Sequence, residues 1–129
     1  MRCRKTAVRS SGATGTSVAR YHMVVMSNPV PGREEEFERW YQDVHLPELV
    51  ALDGFVSAQR FSREMTLGSA QSWPHMAIYE IETDDIEAAI GGLVTVAEAG
   101  NLTMSGAIDT AATSAAVFQA CGPAVQRAG

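Results

Sequence analysis

The chain has 129 residues, 46% of them hydrophobic and 19% charged, with a formal net charge of −5. That is the length and composition of one globular domain with a real core, and no apolar run approaches the ~20 residues of a membrane helix. Five of the ten basic residues, Arg2, Arg4, Lys5, Arg9 and Arg20, precede Tyr21, so the remainder carries five against all fifteen acidic ones. Such an acidic body disfavours nucleic acid, because neutralising phosphate needs a basic face.

The first twenty residues are rich in Ser, Thr, Gly and Ala and lack hydrophobic periodicity, so they read as a flexible basic extension. They hold no apolar core of a secretory signal, and a cytoplasmic location is expected. The two cysteines, Cys3 and Cys121, form no CxxC or Cys/His cluster and read as free thiols. No metal site is expected.

The domain runs from 21 to 129. Tyr21 to Met26 is an apolar run of β-formers and reads as a strand. Ser27 to Gly32 is a turn cluster with two prolines. A helix comes next, with Glu34, Glu35 and Glu36 in its opening turn, where they suit the positive end of the helix dipole. At 100° per residue, Phe37, Trp40, Tyr41 and Val44 return to one side, and His45 falls at the edge of that stripe. Pro47 has no N–H and disfavours an α conformation at Leu46, so the helix kinks or restarts there. Backbone groups around Asp43 to His45 are then less fully paired.

Asp53-Gly54 is a turn. Phe55 to Arg63 alternates as a strand, with Phe55, Ser57, Gln59 and Phe61 on one side. Glu64 to Ser72 is a polar loop. Pro74 to Glu82 is the next strand, with His75, Ala77, Tyr79 and Ile81 sharing a face. A second helix starts at Thr83-Asp84-Asp85, with Asp84 as cap and Glu87 completing a capping box. Gly91-Gly92 weakens it unless a close backbone contact or a kink explains the pair. Thr113 to Cys121 is a last strand.

The order is β-α-β-β-α-β: an α+β, ferredoxin-like arrangement with a four-stranded antiparallel sheet and two helices on one face. The bare sheet face needs a cover, and a second copy is the expected one, giving a homodimer.

The segment Trp40-Tyr41-x-Asp43-x-His45-Leu46-Pro47-Glu48, with Gly54-Phe55 beyond it, resembles the EthD-like group of the dimeric α/β-barrel superfamily. The resemblance is most specific from Met23 to Phe61. It implies a dimeric barrel that binds a small hydrophobic or aromatic molecule in each subunit. Superfamily members include lactone isomerases, polyketide cyclases, decarboxylase-like proteins and monooxygenases.

His45 is the leading catalytic candidate, because imidazole titrates near neutral pH and can act as general base or acid. Tyr41, one turn away, can orient it or donate to a developing enolate oxygen. Trp40, Phe37, Tyr79 and His75 are the candidate substrate-binding residues. His22 is a weaker candidate, and Glu48 reads as the cap of the restarted helix. The expected activity is cofactor-independent isomerisation, cyclisation, dehydration or decarboxylation of a small cyclic or aromatic carbonyl or phenolic compound. Competing with it are a non-catalytic ligand-binding or stress-type barrel, a cofactor-free monooxygenase and a purely structural dimer.

Overall fold

A computed structural model describes residues 7–9, 17–69 and 73–129, with side chains from 17 onward. In chain order the elements are β1 (Ala7–Arg9), β2 (Ser17–Ser27), α1 (Glu34–Trp40), a π-helical turn (Tyr41–His45) and α2 (Leu46–Val50). Then come β3 (Phe55–Ser62), β4 (His75–Thr83), α3 (Ile86–Glu98), a 3₁₀ turn (Thr110–Ala112) and β5 (Ser114–Gln119).

β2 and β4 form the middle of the sheet. The order is β5-β2-β4-β3, and every pair is antiparallel. β1 pairs with the start of β2, on the same edge that β5 occupies further along. The fold is thus α+β: four antiparallel strands, extended by the three-residue β1, with the broken α1–α2 stretch and α3 as the two helical units, compatible with a ferredoxin-like arrangement. β2 begins at Ser17, before the expected Tyr21, so part of the expected extension is strand. Cys121 is disulfide-bonded, which corrects its reading as a free thiol. The chain's other cysteine, Cys3, lies outside the described residues.

One core holds the helices on the sheet. Phe37, Trp40 and Tyr41 meet Met23, Phe55, Ala77, Tyr79 and Ile81, and Ala89, Ile90 and Leu93 of α3 pack at its margin. Gly54 turns the chain into β3 at φ +88°, a left-handed conformation that side chains rarely adopt, while the space around it would admit a Cβ at ordinary contact distance from Ala89 and Ile81.

α3 differs from expectation in two details. Its cap is Asp85, whose carboxylate accepts from the Ala88 N–H at 3.0 Å. The Thr83 hydroxyl accepts from the Asp85 N–H at 3.0 Å and so sets the start one residue beyond Asp84. Gly91 and Gly92 face open space, with nothing within 4 Å of an added Cβ, so no close contact explains them.

The opposite sheet face carries His22, Val24 and Met26 of β2, Met76, Ile78 and Glu80 of β4, and Phe118 of β5, placed there by alternation with the buried residues. Phe118 is 56% exposed.

Phe37 is wholly buried at the centre of the core. Replacing it with Ala is expected to cost about 3–5 kcal/mol, the usual range for a buried Phe. Urea unfolding at constant m-value checks this.

Candidate functional site

The site lies between the first helical stretch and the sheet. Gly32, at φ +87°, turns the chain after the Pro31 corner, and the Arg33 N–H bonds the Val30 carbonyl at 2.9 Å. α1 then starts with its three glutamates and buries Phe37 and Trp40. Over Tyr41–His45 the ladder widens to a π-turn, and the Leu46 N–H reaches the Tyr41 carbonyl. This is the disturbed backbone that Pro47 requires. It inserts one residue and re-phases the helical positions after it. At 100° per residue Leu46 would stand half a turn from Phe37, yet Leu46 and Leu49 are both buried.

The aromatic groups form a continuous layer. The His45 ring stacks on Trp40, with centroids 4.6 Å apart at 27°, and meets Tyr41 edge-on at 5.2 Å and 88°. Tyr41 touches Phe37 at 5.3 Å, and Phe37 touches His75 at 4.9 Å. Tyr79 faces Phe55 at 6.4 Å. Phe37, Trp40, Tyr41, His45 and His75, five of the six candidates named from sequence, therefore share this layer through their rings, and the sixth, Tyr79, adjoins it through its hydroxyl beside Tyr41. His22 does not. It is on the opposite face, with Nε2 3.8 Å from Glu80 Oε1.

Ser27, Arg60 and Glu38 belong to the layer and were not singled out by sequence. Ser27 ends β2 and is 1% exposed. Arg60 was hidden by an irregularity in β3. The register shifts between Phe55 and Ser57, so Phe55 pairs with Ile81 while Arg60 pairs with Ala77. That bulge places Phe55 and Arg60 on the same side, which strict alternation forbids. Arg60 Cζ lies 5.2 Å from the centre of the Tyr41 ring, and its Nη2 donates to Glu38 Oε2 at 2.7 Å.

Four side-chain atoms in this layer are buried without a hydrogen-bond partner: Ser27 Oγ, His45 Nδ1, His75 Nδ1 and Tyr79 OH. The Tyr79 and Ser27 hydroxyls are near enough to influence the ionisation of Tyr41, but Ser27 Oγ and Tyr79 OH lack a bond of acceptable geometry. Buried polar groups are nearly always satisfied, so each orphan needs a reason.

Burial dominates the electrostatics. It raises both phenols, Tyr41 and Tyr79, so they remain protonated donors through the physiological range. It lowers His75, with Glu38 opposing the shift. It lowers His45 to about 4, with Glu48 opposing. His45 is thus a neutral imidazole at pH 7, offering a lone pair or an N–H but no charge.

Glu48 does not cap α2. Its carboxylate accepts from the Thr103 N–H at 2.8 Å and the Thr103 hydroxyl at 2.7 Å, which hold its pKa down. The Trp40 Nε1–H donates to the Thr103 carbonyl at 2.6 Å. The loop after α3 is thereby strapped over the helix beside His45.

His45 binds its proton more weakly folded than unfolded, since its folded pKa is about 4 against an ordinary 6.5. Its contribution is complete above 6.5 and is lost as pH falls towards 4, up to roughly 3 kcal/mol. Urea midpoints across that window are expected to fall less steeply in His45→Gln than in the wild type.

No family model matches the chain, and no curated protein or solved structure matches it either.

Proposed function

We propose that the protein is a small cofactor-independent enzyme acting on a small cyclic or aromatic carbonyl or phenolic compound. His45 is its general base and acid, and Tyr41 is the hydrogen-bond donor to the developing oxyanion. The observation that carries this is the set of four orphaned buried polar atoms along one aromatic layer. A ligand in that layer supplies the missing partners.

The chemistry rests on the protonation states. Neutral His45 removes a proton next to a carbonyl, and the electron pair moves to the carbonyl oxygen. A buried phenol donates to that oxygen as its charge grows. An enolate beside the new imidazolium favours the charged ring and raises its basicity from the free-protein value. Returning the proton to another carbon gives isomerisation, expelling a β-hydroxyl as water gives dehydration, and attack of the enolate carbon on a second carbonyl of the same molecule, whose oxygen takes the proton, gives cyclisation.

The same proposal includes EthD-like membership, a dimeric barrel and a homodimer through the open sheet face. The apolar Val24, Met26, Ile78 and Phe118 on that face favour the dimer. Among the described residues no helix is long and apolar enough to cross a membrane. A cytoplasmic location is part of the reading, and the disulfide at Cys121 counts against it, since thiols stay reduced there.

A non-catalytic ligand-binding barrel is the second reading. The low basicity of His45 favours it, because a base with a pKa of about 4 is weak at neutral pH.

A thermal-shift screen of small cyclic ketones, phenols and lactones, with conversion assays on any hit, separates the two. The enzyme reading expects a stabilising compound whose turnover drops about 10²–10⁴-fold in His45→Ala with the fold intact. Equal binding in both proteins without turnover would leave the binding barrel. For the dimer, sedimentation is expected to give two copies for the wild type and one for Phe118→Glu. A wild-type monomer would remove that part of the proposal.

A further inference from the structure

Trp40 belongs to two structures at once. Its indole stacks on the His45 ring, with centroids 4.6 Å apart, and is only 7% exposed. The same residue lines a surface cleft of about 360 Å³ with Glu36, Arg39, Asp43 and Val44. That volume lies within the ~300–1,000 Å³ of small-molecule sites. His45 is half-buried, and its Nδ1 is sealed from water without a partner. Moving the indole uncovers a face of the imidazole beside that cleft.

One polar bond holds the indole. A tryptophan has a single N–H donor and no acceptor, and here that N–H donates to the Thr103 carbonyl at 2.6 Å. Thr103 is held in turn by Glu48, whose carboxylate accepts from the Thr103 N–H at 2.8 Å and from its hydroxyl at 2.7 Å. Both of these bonds lie at the surface, and Thr103 and Met104 are exposed. Surface bonds exchange for bonds to water at small net cost, so this stretch belongs to the part of the fold that opens locally. The loop is anchored on either side of it. Leu102 packs against the core, and Ala107 is fully buried, its carbonyl accepting from the Val30 N–H at 2.6 Å. Thr103 can therefore let go while the rest of the loop stays in place.

We propose that Glu48 and Thr103 form a latch that holds Trp40 over His45, and that its release swings the indole aside and admits a small molecule from the cleft to the imidazole. Both are positioning residues, acting on His45 through Trp40. The purpose of the latch rests on the ligand site proposed above. Its existence does not, because exposure of His45 is measured without a ligand.

Carbethoxylation by diethyl pyrocarbonate at neutral pH, followed residue by residue by mass spectrometry, tests it in the wild type, Glu48→Ala and Thr103→Ala. The reagent takes neutral imidazoles, so the rate reads access. His22, on the opposite sheet face beside Glu80, is the internal reference. His45 is expected to react about tenfold faster in Glu48→Ala, the scale of one charge-assisted bond. The gain is expected to be smaller in Thr103→Ala, which keeps the N–H bond, with His22 unchanged in both. The His45 titration midpoint adds a readout of definite sign, since burial lowers it and the Glu48 charge raises it. Loss of the charge alone takes the midpoint of Glu48→Ala below about 4, whereas opening takes it up towards 6.5. An unchanged His45 rate in both variants, or a midpoint that falls in Glu48→Ala, would overturn the latch and leave the enzyme reading standing. A rise shared equally by His22 marks general loosening and would overturn it too. A faster His45 with no compound converted by any of the three proteins would leave the latch and overturn the enzyme reading.

Discussion

Pro47 withholds the N–H that would bond the Asp43 carbonyl, and the helical ladder above it slips by one residue. The slip is a π-turn, and π-turns re-aim side chains. Before it, Phe37 and Trp40 face the sheet. After it, Leu46 and Leu49 are buried as well, although in an unbroken α-helix Leu46 would stand half a turn from Phe37. His45 occupies the last position of the turn, with its ring between Trp40 and the edge of Tyr41. One missing hydrogen bond thereby joins two short helical segments into a single buried seam and fixes an imidazole in it.

What that seam holds is unusual for a hydrophobic core. Phe37, Tyr79 and Ile81 have no exposure, as tight packing demands. Yet among them sit two phenols, a serine hydroxyl, two imidazoles and a guanidinium. An unpaired buried donor or acceptor costs about 1–3 kcal/mol, so the two imidazole nitrogens, which lack even the neighbouring hydroxyl that Ser27 and Tyr79 have in Tyr41, weigh against stability. Each shift in ionisation points the same way. Burial keeps the imidazoles neutral and the phenols protonated. A core selected for stability alone would carry apolar groups of the same shape in these places. Sites that bind or react are where such costs are usually kept.

Much of this was legible in the sequence. The six-element order came from strand runs, turn clusters and the helical stripe, and β3, β4 and β5 overlap the spans those signals marked, while β2 starts earlier than expected, at Ser17, and β1 lies in what read as an extension. The candidate residues were also legible, because 100° spacing groups Phe37, Trp40, Tyr41 and His45, and alternation groups His75 with Tyr79. Three things were not. The bulge at the start of β3 hid Arg60, since a single extra residue reverses strand parity and leaves no mark in composition. Glu48 looked like a cap because it comes directly after Pro47, while its actual partner, Thr103, is distant in sequence. The choice of Asp85 over Asp84 as a cap turned on the hydroxyl of Thr83, a difference of one residue.

The account depends on His45 being a desolvated, neutral base inside the seam. A pH titration of the imidazole ¹⁵N shifts measures this directly. The account predicts that His45 titrates with a midpoint of about 4, well below the ordinary 6.5. A midpoint near 6.5 would mean that water reaches the ring and that the seam does not bury it, which contradicts the account.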